Sequence, residues 1–286
     1  MYDIAVNRPE PIPVYAEMGS TNPVFILPHV MKEKGQEIAA AYAASVTMGV
    51  GQFCTNPGML IYQNTADDFS GALKTAFEKT AGGVMLAPYI LNAYKTGLQH
   101  HLVSEDVEQL AISGSQQDAG TNTAVPVLMK ADYTTFTNNP RLSEEIFGPT
   151  GIVIPVNSKN EMLNIAKNLS GHLTATVHGT NEELIDYKDL LDILEQKAGR
   201  VVINGFPTGV EVCSAMVHGG PFPSTSDSKT TSVGTAAIYR FTRPVCYQNM
   251  PQSLLPAALK DQNILNIRRL VNGENTNKDI NLADIK

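Results

Sequence analysis

At 286 residues, with 43% hydrophobic side chains, 22 glycines and 17 prolines, the chain has the composition of a turn-rich globular protein large enough for one large or two medium domains. Its formal charge of −7 argues against a partner held through nucleic-acid phosphates, and it has no apolar run of about 18 residues to span a membrane. Three widely spaced cysteines without a CxxC pair, Cys54, Cys213 and Cys246, argue against a disulfide scaffold or structural zinc and favour a reducing compartment. The opening MYDIAVNRPEP carries no signal-peptide pattern, so a cytoplasmic protein is expected.

In chain order, Pro13 to Ala16 and Pro23 to Leu27 read as short strands separated by the turn Gly19-Ser20-Thr21-Asn22. Apolar residues Ile38, Tyr42, Ala43 and Val46 recur at helical spacing from Val30 to Met48. That helix delivers the chain to Gly49, Gly51 and Cys54. Gly58 to Tyr62 is a buried strand candidate, followed by helices over Asp67 to Lys79 and Pro88 to Leu102. Strands are expected at Val125 to Lys130, Gly151 to Val156, Leu173 to Val177 and Arg200 to Asn204, with helices at Lys159 to Leu169 and Asn181 to Lys197. The alternation predicts an α/β fold with a largely parallel sheet. From Gly219 the chain is rich in Gly, Pro, Ser and Thr and reads as an extended loop, then a helix over Ser232 to Phe241 and a short strand over Pro244 to Gln248. The closing ENTNKDINLADIK is polar enough to fray.

Three loops offer chemistry. In MGVGQFCTNP, Cys54 has small neighbours that leave room for a substrate, as a nucleophile requires. Cys213 and Cys246 sit in mostly apolar contexts and read as buried structural cysteines. In VYAEMGSTNPV, Glu17 follows an apolar stretch and precedes a Gly-Ser turn, where a surface carboxylate and a general base are both open. SEEIFGPTGIVI sets Glu144, Glu145 and Phe147 before a Gly-Pro turn and a strand. None of the histidines, His29, His100, His101, His172, His178 and His218, sits in a motif. Each reads as an ordinary surface or hydrogen-bonded histidine, with His218 before Gly219-Gly220 the one worth inspecting.

Together and in this order, AEMGS, GQFC and EEIFGP resemble the glutamate, nucleophile and E-x-F-G-P segments of the aldehyde dehydrogenase superfamily. The likeness continues through GRVVINGFPTGVEVCSAMVHGGPFPSTSDSKTTSVG and covers about Pro11 to Asn249. It implies that Cys54 attacks an aldehyde, that Glu17 activates the water that hydrolyses the resulting thioester, and that Glu145 and Phe147 contact the nicotinamide ribose of NAD or NADP. The resemblance also implies a homo-oligomer, joined through Thr242 to Tyr247, with no nucleic acid or membrane partner.

AEMGSTNPV, GQFCTNPG and RFTRPVCYQNMP are similar to the branch containing 2-oxoglutarate semialdehyde dehydrogenases, and also to long-chain fatty aldehyde dehydrogenases. The family's upstream Gly-Ser-x-x-G turn and asparagine do not occur before Glu17. The resemblance therefore implies a C-terminal portion: residues 1–18 a remnant of the cofactor-binding domain, 19–218 the catalytic domain, 219–250 the return loop, helix and oligomerisation strand, and 251–286 a tail. On its own such a chain is expected to bind NAD or NADP weakly or not at all. The alternative is a dimerising domain without cofactor binding, and a Cys-His hydrolase is a weaker reading.

Overall fold

Short apolar runs bounded by turn formers build one parallel sheet, and the amphipathic segments between them become the crossovers. The structure, a computed structural model, describes residues 1–64, 68–114 and 121–281. After a short helix α1 (Tyr2–Val6), strand β1 (Val24–Ile26) leads into α2 (Pro28–Thr47), whose first turn is set by Pro28. A 3-10 turn (Met48–Gly51) and the Cys54 loop lead to β2 (Met59–Gln63). Next come α3 (Phe69–Glu78), capped by the Asp68 carboxylate on the Gly71 N–H, then β3 (Gly83–Val84) and α4 (Pro88–Leu102). Strands β4 (Val107–Ile112), β5 (Thr123–Ala124) and β6 (Val127–Ala131) precede helix α5 (Tyr133–Asn138). The order then alternates through β7 (Thr150–Val156), α6 (Lys159–Asn168), β8 (His172–His178), α7 (Asn181–Asp186), α8 (Lys188–Glu195) and β9 (Ala198–Ile203).

Among the described residues, seven strands form one sheet in the order β4-β6-β7-β2-β1-β8-β9, with β4 antiparallel and the other pairings parallel. The inner strands β1, β2, β7 and β8 are almost wholly buried, as a sheet covered by helices on both faces requires. A main core runs from Val24 to Ala198 along the chain, and a satellite cluster gathers Met85, Leu91, Tyr94 and Ala124. The expected α/β class and largely parallel sheet are present.

Several elements differ from expectation. Pro13 to Ala16 forms no strand; the segment is held by a single bridge at Glu17–Thr225 and by the Ser226 hydroxyl on the Ala16 N–H. The helix expected over Asn181 to Lys197 is two, broken at Tyr187, where φ −102° and ψ 26° leave the helical region. Ser232 to Phe241 forms only 3-10 turns over Thr235–Phe241, because it buries no residue and so has no apolar face to hold a longer helix. Pro244 to Gln248 is exposed and pairs with no strand among the described residues. Strand β4 and the β3–β5 pair are additions. The helix expected from Asp67 starts at Phe69, with Asp67 outside the described residues.

Packing divides the chain into two units, Met1–Arg240 and Phe241–Lys286. The second contains a hairpin, β10 (Arg269–Val271) with β11 (Glu274–Thr276), turned by Asn272 and Gly273, both at positive φ. The Arg269 guanidinium donates to the carbonyls of Lys260, Asp261 and Lys278. Part of the closing stretch expected to fray is therefore ordered; residues 282–286 lie outside the described residues.

Candidate active site

Cys54 reaches its position through an unusual turn. Gly49, Val50 and Gly51 all have left-handed backbones, with φ of 55°, 60° and 67°. Glycine adopts this conformation freely, but a β-branched valine does so only under restraint. The Val50 side chain packs on the satellite cluster, which supplies that restraint. Gly51 has a second reason to be glycine: a Cβ there would stand 2.1 Å from the Gly148 carbonyl carbon. The Gln52 side chain donates to the Gly49 carbonyl and accepts the Leu86 N–H at 3.0 Å. Asn56 then donates to the Gly148 carbonyl at 2.9 Å, joining the nucleophile loop to the EIFGP turn.

Asn22 fastens the third loop. Fully buried, it donates through Nδ2 to the carbonyls of Cys54 and Asn56, each at 2.9 Å, and of Ser20 at 3.1 Å. Its Oδ1 accepts the hydroxyls of Ser20 and Thr174 and the Thr174 N–H. Asn22, Cys54 and Gly148 precede β1, β2 and β7, and Thr174 lies near the start of β8, so the loops gather at the amino ends of the parallel strands.

On this frame the Cys54 Sγ lies 3.3 Å from His218 Nε2, and that nitrogen lies 3.2 Å from Glu17 Oε2. His218 is 6% exposed and Glu17 35% by side chain. The His218 backbone N–H donates to Thr231 Oγ1, and its carbonyl accepts the Ser232 N–H at 2.8 Å. Hydrogen bonds to Cys54 and then to Glu17 push the imidazole up to about 9, against the opposing effect of burial. Glu17 is lowered first by its hydrogen bond to His218, with Arg240 adding a small Coulombic pull. Arg200 is lowered by burial, while the Cys54 charge works the other way. Its Nη2 donates to the Pro207 carbonyl at 2.7 Å.

Glu145 accepts the Ser20 N–H at 3.0 Å through Oε2, close enough to Gly19 that a Cβ there would stand 3.1 Å away. Although the residue keeps solvent access, its carboxyl is drawn in against this turn, and desolvation pushes it up to about 7. Phe147, two residues on, is 39% exposed. Glu145 thus offers an acceptor and Phe147 an exposed aromatic face, which is the chemistry that a ribose and an attached planar ring would need.

Glu17 and Cys54 thus converge, and Glu145 is tied to the Glu17 loop through Ser20. His218 is the residue that the sequence left without a role. Its signal was the placement before Gly219-Gly220, where a Cβ on Gly220 would stand 2.2 Å from the His172 carbonyl oxygen. Cys213 and Cys246 correct the expectation of buried cysteines, since both are exposed. His172 departs in the other direction: it is buried, and neither ring nitrogen has a hydrogen-bond partner among the described residues.

Residues 4–243 match the aldehyde dehydrogenase family. The chain is 46% identical over 276 residues to an alpha-ketoglutaric semialdehyde dehydrogenase of Acinetobacter baylyi and 42% identical over 277 residues to alpha-ketoglutaric semialdehyde dehydrogenase 2 of Azospirillum brasilense. Each alignment takes in 96% of this chain and 52% of the relative, so the chain spans about half the length of the curated relatives it matches. In fold it is similar to an NAD-dependent aldehyde dehydrogenase from Sinorhizobium meliloti, with TM-score 0.68 and 19% identity over 84% of this chain and 46% of that one. It is also similar to succinic semialdehyde dehydrogenase from Streptococcus pyogenes in complex with NADP+, with TM-score 0.64 and 19% identity over 79% of this chain and 48% of that one. The three loop motifs, the parallel sheet that gathers them and these matches have one conclusion: the chain belongs to the aldehyde dehydrogenase family.

Proposed function

We propose that this chain carries the nucleophile and base of an NAD(P)-dependent oxidation of 2-oxoglutarate semialdehyde to 2-oxoglutarate. The observation that carries the reading is the contact series Cys54 Sγ, His218 Nε2, Glu17 Oε2, with separations of 3.3 Å and 3.2 Å. His218 Nε2 is placed to take the proton of the Cys54 thiol as the sulfur attacks the aldehyde carbon to form a thiohemiacetal. A nicotinamide supplies the hydride acceptor when bound, and Glu145 and Phe147 hold and orient it. Glu17 then takes a proton from the water that opens the Cys54 thioester, releasing the acid.

The identities to two alpha-ketoglutaric semialdehyde dehydrogenases support the substrate. So does Arg200, a cation within electrostatic reach of Cys54, since the substrate ends in a carboxylate. A fatty aldehyde would make no use of that charge.

Turnover of p-nitrophenyl acetate tests the nucleophile and base without a cofactor, because ester acylation and hydrolysis use the same sulfur and the same water. Steady release of p-nitrophenol is expected from the 286-residue chain. Cys54→Ser should fall to background, and Glu17→Gln should give one burst and then slow by about a hundredfold or more. An active Cys54→Ser chain would overturn the reading.

A further inference from the structure

Cys54, His218 and Glu17 present three different donor atoms to one point: a thiol sulfur, an imidazole nitrogen and a carboxylate oxygen, all within 4.8 Å of one another. We propose that this trio is a binding site for Zn2+ or a similar thiophilic divalent cation, which occupies the nucleophile and excludes the aldehyde.

The geometry is close to what such an ion needs. Zinc bonds of about 2.3 Å to sulfur and about 2.0 Å to nitrogen and oxygen, set at tetrahedral angles, place sulfur and nitrogen about 3.5 Å apart and nitrogen and oxygen about 3.3 Å apart. The observed edges are 3.3 Å and 3.2 Å. The sulfur-to-carboxylate edge lies within 4.8 Å, and rotation of the half-exposed Glu17 side chain can adjust it. The donors come from loops pinned by Asn22, by the Glu17–Thr225 bridge and by Thr231, so little ordering remains for the ion to impose. Glu17 and Cys54 both keep solvent access, which leaves an approach path and a fourth position for water. The donor set also selects the metal, since a thiolate with an imidazole suits zinc and is a poor home for magnesium. Coordination forms metal–sulfur, metal–nitrogen and metal–oxygen bonds. It releases the thiol proton, and any proton on Nε2, to solvent.

The exposed Cys213 and Cys246 serve as internal controls. With iodoacetamide and peptide mapping, Zn2+ at one equivalent is expected to slow alkylation of Cys54 by about tenfold or more while Cys213 and Cys246 change little. Mg2+ should protect none of them. Co2+ in place of Zn2+ should give a sulfur-to-cobalt charge-transfer band that Cys54→Ser abolishes. Glu17→Gln and His218→Ala should each weaken protection by about tenfold or more. Glu17→Gln carries the test if the buried His218 variant does not fold. Equal protection of all three cysteines, protection by Mg2+, or full protection in a folded Glu17→Gln chain would overturn the proposal. The inference rests on the donor set and not on the reaction: ester turnover without zinc protection sinks the metal site alone, and protection without turnover sinks the enzymatic reading alone.

Discussion

The amide nitrogen of Asn22 donates to the backbone carbonyl of Cys54 at 2.9 Å. A fully buried side chain thereby fixes the nucleophile loop to the loop that carries Glu17, with a φ of 47° that asparagine tolerates better than most residues. Asn22→Ala should leave the Cys54 carbonyl and the Thr174 N–H short of partners, while the Asn56 carbonyl keeps the Gly58 N–H, and should cost on the order of 3 kcal/mol. Thermal unfolding measures that loss, and the Cys54 alkylation rate should change with it. A variant of native stability and native Cys54 reactivity would show that the two loops hold their geometry without Asn22.

Gly51→Ala sets a Cβ against the Gly148 carbonyl and demands a left-handed backbone from a residue that disfavours it. We expect a loss of roughly 2–4 kcal/mol and disruption of the junction between the GQFC and EIFGP segments. Denaturant midpoints decide it; an unchanged midpoint refutes the close approach.

Tyr42 is fully buried on α2, and its hydroxyl has no hydrogen-bond partner among the described residues. Tyr42→Phe removes a desolvated hydroxyl while keeping the ring that packs near Phe77 and Phe206. The variant should be as stable as the parent or more so, by up to about 1 kcal/mol. A large destabilisation would mean that the hydroxyl is satisfied.

Stability should fall in acid through two histidines. Burial holds His172 and His178 each down to about 4, from an ordinary value near 6.5. Between those values the unfolded chain takes up protons that the folded chain refuses, so lowering the pH favours unfolding. The stability is fully present above about 6.5 and is lost as pH falls toward 4, by on the order of 3 kcal/mol per histidine at most. Denaturation measured across that window should show His172→Gln with a shallower slope than the parent; equal slopes would exclude His172 as a source.

Arg200 offers a test of substrate class. 2-Oxoglutarate should protect Cys54 from alkylation better than pentanoate does, and Arg200→Met should erase most of that preference. Equal protection by both acids in the parent chain would remove the electrostatic reason for a carboxylate-bearing substrate.

How far the sequence reached depended on how local each signal was. Helix α4 was legible to its boundaries because Pro88 opens it and its pattern is continuous. Strand β4, VEQLAI, was not, because at the sheet edge it buries only Val107 and Ala111 and lacks the continuous apolar run of β7. Cys54, Glu17 and Glu145 could be named because each sits in a short motif. His218 meets Cys54 across 164 residues of chain, and the sheet order β2-β1-β8-β9 together with the packing of the glycines after His218 closes that distance. No local pattern encodes such a contact.

Val50 gives the nucleophile loop a sensor. A valine at φ 60° stays there only while its side chain is gripped by Met85, Leu91, Tyr94 and Ala124, none of which takes part in the proposed chemistry. Loosening that grip should favour relaxation of Val50 toward its ordinary backbone region, and with it a shift of the Cys54 loop that follows. Reactivity at Cys54 is therefore expected to follow packing around α4 and the β3–β5 pair, so that substitutions in that patch should change it while every residue of the proposed site remains in the sequence.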